Sequence, residues 1–287
     1  MVGVSGGVDS LALLDMLSKK REVGRGKRVE LVVAHFNHGI RGDSALDEKL
    51  VTSTAKKYGL PLEIGRAKLG KNASEEAARA ARYKFLREVQ KKYKAKGIIT
   101  AHHQDDLIET AFINILRGTG RRGLTAMQQN PDIIRPLLDT PKSELVKYAK
   151  AHKLRWREDE SNQDTKYLRN YIRLKVVPNL SLAQRQQLLA HINELNRLNP
   201  ILDKEIAKLS QSLLENNKIN RQKFISLPPE VASEALASLL RGENIRQFDS
   251  KTLERLVIAI KTAKAGSRHD VQQGVVLEVG PKFAHLT

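Results

Sequence analysis

The sequence predicts an α/β protein: a parallel sheet flanked by helices, followed by a smaller, mainly helical domain that ends in a short β-hairpin. Three observations lead there. Short valine- and isoleucine-rich runs alternate with amphipathic helical runs up to residue 154, the pattern of a parallel sheet with right-handed crossovers. A glycine turn separates the first strand from the first helix. After residue 180 the alternation stops and helical runs take over.

In chain order, "MVGV" (1–4) reads as the end of a buried strand, and Leu11, Leu13, Leu14 and Leu17 begin a helix after the Gly6-Gly7 turn. "VELVVAHF" (29–36) is a second strand and "ALDEKLVTSTAKKY" (45–58) has helical spacing. "LPLEIGRA" (60–67) is a third strand. "SEEAARAARYKFLREVQKKY" (74–93) is a helix with Ser74 as N-cap and acids in its first turn. "GIITAHH" (97–103) is the fourth strand, and "DDLIETAFINILRG" (105–118) is a helix ending at Gly118. "DTPKSELVKYAKAHKL" (139–154) starts a helix with an early proline, Pro141. The boundary falls after Pro178, giving a Rossmann-like domain at 1–180 and a mainly helical one at 181–287. The latter has helical runs at about 182–215 (broken near Pro200), 230–241 and 249–264, then a hairpin near Gly280-Pro281.

A core of this size is within reach of 287 residues with 40% hydrophobic content. No apolar run has the length of a membrane span. The absence of cysteine excludes disulfides, iron–sulfur clusters, thiolate zinc sites and persulfide relays in this chain, and a reducing cytoplasm is the expected address. The net charge of +18 points to a polyanionic partner. The surplus is uneven: 35 Lys and Arg face 21 Asp and Glu in residues 1–180, against 15 and 11 in residues 181–287. A lysine-rich solvated surface is the plainer reading of "RAARYKFLREVQKKYKAK" (79–96), and contact with a nucleic-acid backbone the sharper one.

Ligands of open parallel sheets bind beyond the carboxyl ends of the strands. Four clusters fall there: "SGGVDS" (5–10), "HFNHGIRG" (35–42), "HHQDD" (102–106) and "RGTGRRGL" (117–124). In the first, Gly6 and Gly7 let backbone amides approach a phosphate, Val8 opens the helix, and Ser5 and Ser10 add hydroxyl donors. Asp9 would repel phosphate unless it held magnesium. No lysine stands where a Walker A loop needs one. Asp106 and Glu109 are neighbours on one helix face, and Asp105 lies one turn before Glu109. A solvated salt-bridge face is the ordinary role of such acids; their place at a strand end, after two histidines, favours a site. His102 and His103 also suit simple capping of the strand end.

"SGGVDS" resembles the PP-loop of the ATP pyrophosphatases, whose loop holds the leaving pyrophosphate while chemistry falls at the α-phosphorus. "NHGIRG", "SEEAARAARYKFL", "TAHHQDDLIETAFINILRGTGRRGL", "IIRPLL" and "WREDESNQDTKYLRNYIR" occur in the order seen in the tRNA(Ile)-lysidine synthetase family, and the likeness extends from residue 2 to 178. Leu107 stands where glutamine is common in that family. Members often carry more residues before the loop and a further C-terminal domain. The resemblance implies a ligase that adenylates C2 of the wobble cytidine of tRNA(Ile) with anticodon CAU at the expense of ATP. Free L-lysine then displaces AMP to give lysidine. It also implies Mg2+, a homodimer, and a second domain that assists tRNA binding.

On that resemblance, Asp9 and Asp106 are expected to hold magnesium, and Glu109 to receive the lysine ammonium. Arg82 and Arg169 are expected at the reacting phosphate. His38 and Arg41 would line the nucleotide pocket with Ser5, Gly6, Gly7, Val8, Asp9 and Ser10. Arg79 and Arg173, and the loop arginines Arg117, Arg121 and Arg122, would contact tRNA or phosphate. Surface ion pairs with Glu75, Glu76 or Glu88 compete for Arg79 and Arg82. Trp156 suits base stacking or, more often for a lone tryptophan, packing. Other readings stay open: another PP-loop tRNA-modifying enzyme, an ammonia-using synthetase of small metabolites, or a non-catalytic nucleic-acid-binding protein.

Overall fold

The computed structural model describes residues 1–20, 22–23, 27–39, 44–67, 75–127, 132–157, 164–245, 248–272 and 274–287. Arg41 and Ser74, expected in the nucleotide pocket and as a cap, lie outside them. The chain forms two compact units, Met1–Ile113 with Gln129–Arg185, and Asn114–Gln128 with Gln186–Thr287. This differs from a single cut after residue 180, because the segment 114–128 makes its side-chain bonds within the second unit.

The first unit begins with β1 (Val2–Gly3), α1 (Val8–Lys19), a small antiparallel pair β2 (Glu22–Val23) and β3 (Lys27–Arg28), β4 (Val33–Asn37), α2 (Ser44–Lys57) and β5 (Leu62–Arg66). It continues through α3 (Glu75–Lys92), β6 (Ile98–Ile99) and α4 (Gln104–Leu116), whose last turn belongs to the second unit. Five strands form a parallel sheet in the order β5-β4-β1-β6-β7, where β7 is Ile133–Ile134. The fifth strand was not anticipated, since two residues carry no periodicity.

Successive strand residues face opposite sides of the sheet. Val2, Val4 and Val33 pack with Leu11, Leu14 and Leu145 on one side, and Val32, Ala34 and Ile98 with Leu86 and Val89 on the other. Burial on both faces explains why these strands read as unbroken apolar runs. From β1 the chain moves to β4 and β5 on one flank, then to β6 and β7 on the other. The switch point therefore lies beyond the carboxyl ends of β1 and β6, where open parallel sheets bind ligands.

After α6 (Lys142–Ala151), the four-residue α7 (Leu168–Tyr171) runs directly into a π-helical turn, Ile172–Val176, and a 3-10 turn, Val177–Asn179. Asp15, on the buried side of α1, accepts hydrogen bonds from the Tyr58 and Tyr148 hydroxyls at 2.5 and 2.6 Å and pairs with Lys19 at 2.8 Å.

In the second unit, the "RGTGRRGL" segment is not an open loop. Gly120 caps the short helix α5 (Arg121–Leu124). The Arg121 guanidinium donates to Asn199 Oδ1 (2.7 Å), Asp203 Oδ1 (2.6 Å) and Glu234 Oε2 (3.1 Å), and Arg122 pairs with Asp203 at 2.8 Å. Helix α8 (Leu182–Ser212) passes through Pro200 without the expected break. Asn199, beside the proline, is buried and donates to Thr125 Oγ1, so tertiary bonds hold the turn that proline weakens.

The terminal strands are more than a hairpin. β8 (Leu214–Glu215) and β9 (Lys218–Asn220) join β10 (Ser267–Gln272), β11 (Val275–Val279) and β12 (Phe283–Leu286) in an antiparallel sheet ordered β10-β11-β12-β9-β8. Asn216 and Asn217, both at positive φ, form the tight turn between β8 and β9. Helices α9 (Arg221–Ile225), α10 (Pro229–Gly242) and α11 (Ser250–Thr262) share a core with this sheet around Phe224, Leu236, Leu240, Leu256 and Leu277. Among the described residues, no helix is long and apolar enough to cross a membrane.

Candidate active site

The turn after β1 is shaped by its own side chains. Gly6 has φ +97°, a conformation that a residue with a Cβ rarely adopts. Ser10 Oγ accepts from the Ser5 and Gly6 amides, each at 3.2 Å, and donates to the Gly7 carbonyl at 3.0 Å. Its proton is thus committed inside the loop: Ser10 holds the turn's shape, while Ser5, whose hydroxyl lies 3.2 Å from that of Ser10, is exposed. Val8 starts α1 and is buried, with Gly7 as its N-cap. Arg157, which no local pattern had marked, secures the loop from outside: its amide donates to the Gly6 carbonyl (3.2 Å) and its Nε to Asp47 Oδ1 (2.9 Å).

Across the switch point, α4 begins at Gln104 with His103 as the residue before it. The His103 amide donates to Asp106 Oδ2 at 3.0 Å, one half of a capping box that fixes the carboxylate over the helix start. His103 Nε2 then lies 3.5 Å from both Asp9 Oδ2 and Asp106 Oδ2. The opening loop and "HHQDD", more than 90 residues apart in sequence, therefore meet at one imidazole. Burial works against a charge on His103, but the Asp9 hydrogen bond and the carboxylates of Asp106, Asp9 and Asp105 outweigh it and raise its pKa. Burial also works against the Asp106 anion, yet the two histidines, the His103 amide and Arg173 hold it below the usual range. His102 goes the other way: burial, reinforced by Arg82, Arg135 and Arg79, outweighs the Asp106 charge and brings it down to about 3.

One turn on, Glu109 is 1% exposed. Arg173 grips it through two parallel bonds, Nε to Oε1 at 2.7 Å and Nη2 to Oε2 at 2.8 Å, and its Nη2 also lies 3.6 Å from Asp106. Arg169 adds a second cation 3.8 Å from Glu109. Burial pushes the Glu109 carboxyl above its ordinary range, against the pull of Arg173. Asp105 turns aside to Arg185 (2.9 Å), whose other nitrogen donates to the Val177 carbonyl. Arg173, expected at tRNA or phosphate, thus spends its fork on Glu109.

Arg79 and Arg82 lie against the Tyr83 ring, 4.8 and 5.3 Å from its centroid. Arg82 is half-buried, and burial, together with nearby Arg79, lowers its pKa. His38, at the end of β4, meets Phe36 edge-on at 4.9 Å. Trp156 packs against the apolar core, not as an open stacking surface. Arg117 is exposed in the second unit.

The donors present fit a magnesium ion. Asp9 Oδ1 is buried with no hydrogen-bond partner, an expensive state for a carboxylate unless a cation completes it. Among the described residues, no group of three His, Cys, Asp or Glu is placed to bind a metal. Two carboxylates are what magnesium uses when phosphate oxygens and water supply the rest.

A family model for the PP-loop domain matches residues 1–180. The tRNA(Ile)-lysidine synthase of Nitrosomonas europaea is 34% identical over 271 residues, covering 89% of this chain and 57% of that protein. The enzyme of the same name from Thermosipho africanus is 40% identical over 188 residues, covering 62% of this chain and 43% of its own, and that of Geobacter sulfurreducens 36% over 230, covering 76% and 45%. The chain spans about half the length of these curated relatives. Among solved structures, the U34-tRNA thiolase NcsA from Methanococcus maripaludis, with its 4Fe-4S cluster, matches at TM-score 0.56 and 20% identity over 69% of this chain and 71% of that one, a likeness of fold.

Proposed function

The chain belongs to the PP-loop domain family, and from that premise we propose that it is a tRNA(Ile)-lysidine synthase. It would use ATP to join free L-lysine to C2 of the wobble cytidine of tRNA(Ile) with anticodon CAU. The observation that carries this reading is the span of the match. Identity of 34% to the Nitrosomonas europaea enzyme runs over 271 residues, and so through both units, where a shared phosphate loop alone would stop at the first.

The site supports two steps. In the first, the cytosine C2 oxygen attacks the α-phosphorus of ATP and pyrophosphate leaves. The amides that open α1 from Val8 onward, at the helix's positive end, receive the departing phosphates, while those of Ser5 and Gly6 hold the turn through Ser10. Asp9 and Asp106 would hold Mg2+, which offsets phosphate charge when bound. Arg82, with Arg79, stands ready for the charge building on the α-phosphate, and a planar, permanently charged fork suits that task.

In the second step the lysine ε-amine attacks C2 and AMP departs. The amine arrives as an ammonium and must lose a proton. Glu109 is the carboxylate for it, because burial already raises its proton affinity. Its present partner is Arg173, so lysine binding exchanges one cation for another: Arg173, with Arg169, gives up Glu109 and turns to the reacting phosphate.

Incubating the protein with tRNA(Ile), ATP and radiolabelled lysine tests the reading. Label should enter the tRNA with AMP and pyrophosphate released in equal amount. ATP turnover with no label in the tRNA would move the assignment to another PP-loop reaction, and RNA binding with no ATP turnover would make it a binding protein. The second unit is assigned to tRNA binding. That part falls if tRNA slows hydrogen exchange at no amide of residues 186–287.

A further inference from the structure

The segment that supplies Arg169 and Arg173 to Glu109 has a second face. Tyr167, the N-cap of α7, and Tyr171, its last residue, are four apart and joined by the Tyr171 amide donating to the Tyr167 carbonyl at 2.9 Å, which places them one turn apart along the helix. They are 63% and 50% exposed, and Leu168 beside them is 43% exposed. Scattered apolar side chains on a surface are ordinary, but two exposed tyrosines one turn apart, with an exposed leucine between them, form a patch. Lys166 and Lys175, both exposed, flank them, against one acid in the same stretch, Asp164. Aromatic faces among cations form the surface that single-stranded nucleic acid uses, rings stacking on bases while cations track the backbone.

We propose that Tyr167 and Tyr171 are a stacking platform for unpaired RNA bases next to the reacting cytidine, an inference that rests on the tRNA reading above. Their position sets which bases. Residues two apart on a helix point to nearly opposite sides, so the tyrosines face away from the side where Arg173 holds Glu109. A helix is roughly 10–12 Å across. The tyrosines therefore sit at least about one helix width from the carboxylate, too far for the base being modified, which leaves them to its neighbours in the anticodon loop. The platform serves affinity and register, and the chemistry stays with Glu109 and Asp106.

The test uses an anticodon stem-loop of the tRNA with 2-aminopurine beside the wobble position, and full-length tRNA for turnover. Wild type and the Tyr167→Phe and Tyr171→Phe variants should quench 2-aminopurine on binding, because phenylalanine keeps the stacking face. Tyr167→Ala and Tyr171→Ala should lose the quench and raise the KM for tRNA roughly ten- to a hundredfold each, with kcat within about twofold of wild type. Circular dichroism melts that match wild type show that the alanine variants fold. If these variants melt early, the proposal stands or falls on whether phenylalanine preserves quenching that leucine at the same positions loses. Unchanged KM and quenching in the alanine variants would overturn it. So would a loss confined to kcat, or an effect only on self-association in sedimentation, which would make the face a protein contact. If wild type adds no lysine to tRNA, the functional reading fails instead, and the stem-loop quench still reports on the platform separately.

Discussion

Replacing Arg173 by methionine isolates the pair on which the site is built. Glu109 is 1% exposed, and Arg173 supplies two of its hydrogen bonds, at 2.7 and 2.8 Å. Breaking a buried pair by removing one partner costs roughly 3–5 kcal/mol, because the other charge stays behind. Here the loss has a ceiling, since the orphaned carboxyl takes up a proton. Holding a carboxyl of ordinary pKa protonated at pH 7 costs about 3.7 kcal/mol. Burial already raises Glu109 in the intact protein, and Arg169 remains 3.8 Å away, so the expected loss is smaller, about 2–3 kcal/mol. Trp156 is the only tryptophan and packs in the first unit's core, so its fluorescence reports that unit during urea unfolding. With a slope of roughly 2 kcal/mol per molar urea, the midpoint should fall by about 1–1.5 M. A carboxyl whose folded pKa is raised costs stability as pH rises, so the deficit should be largest near pH 7 and shrink toward pH 5. Adding Glu109→Gln should restore much of the midpoint, since no charge is then stranded. A midpoint unchanged in Arg173→Met, or a double variant no more stable than the single one, would refute the account.

Three further outcomes follow from the same geometry. Ser10→Ala removes the acceptor of two loop amides, at about 1–3 kcal/mol for donors left unsatisfied, and should raise the KM for ATP in pyrophosphate exchange at least severalfold without unfolding the protein. Gly65→Ala would set a Cβ 2.6 Å from Phe85 Cδ2 and 2.8 Å from Phe36 Cδ2, so overpacking of about 1–3 kcal/mol should lower the melting temperature of the first unit by several degrees. Tyr148 is pushed up to about 12 by burial and by its bond to Asp15, while Asp15, despite burial, is held low by Lys19, Tyr148 and Tyr58. The tyrosine's contribution to stability should be complete below pH ~10 and fade toward 12, and that of Asp15 should fade only in acid. Melting temperatures of wild type and Tyr148→Phe should accordingly differ by a constant amount up to pH ~10 and converge above it.

The site's two halves were legible because each has a local signature: glycines before an apolar helix, and acids one turn apart after a strand. Their meeting at His103 followed from the parallel sheet, since β1 and β6 are neighbours and both loops leave at the same end. The histidine was read only as a cap because no short-range pattern shows that Asp9 reaches it. Arg157 and Arg185 carried no signal at all, since each acts on a residue 80 or more positions away. The arginine-glycine segment misled because glycines suggest an open loop, whereas the acids that bind Arg121 come from α8 and α10. The turn at Asn216-Asn217 was readable as a hairpin signal. It passed unnoticed because its strands are only two and three residues long.

The π-helical turn at Ile172–Val176 gives chain length a meaning there that residue identity does not carry alone. A π turn holds one residue more than an α turn, so everything after it is rotated by about 100° relative to an uninterrupted α-helix. Arg169 precedes that step, Arg173 sits inside it, and Arg185, which ties down Asp105, comes after. Arg169 and Arg173 converge on Glu109 across this phase offset, while Arg185, past the 3-10 turn and on α8, takes Asp105. Shortening the turn by one residue would leave every one of these side chains chemically intact and aim those beyond it at the wrong partners.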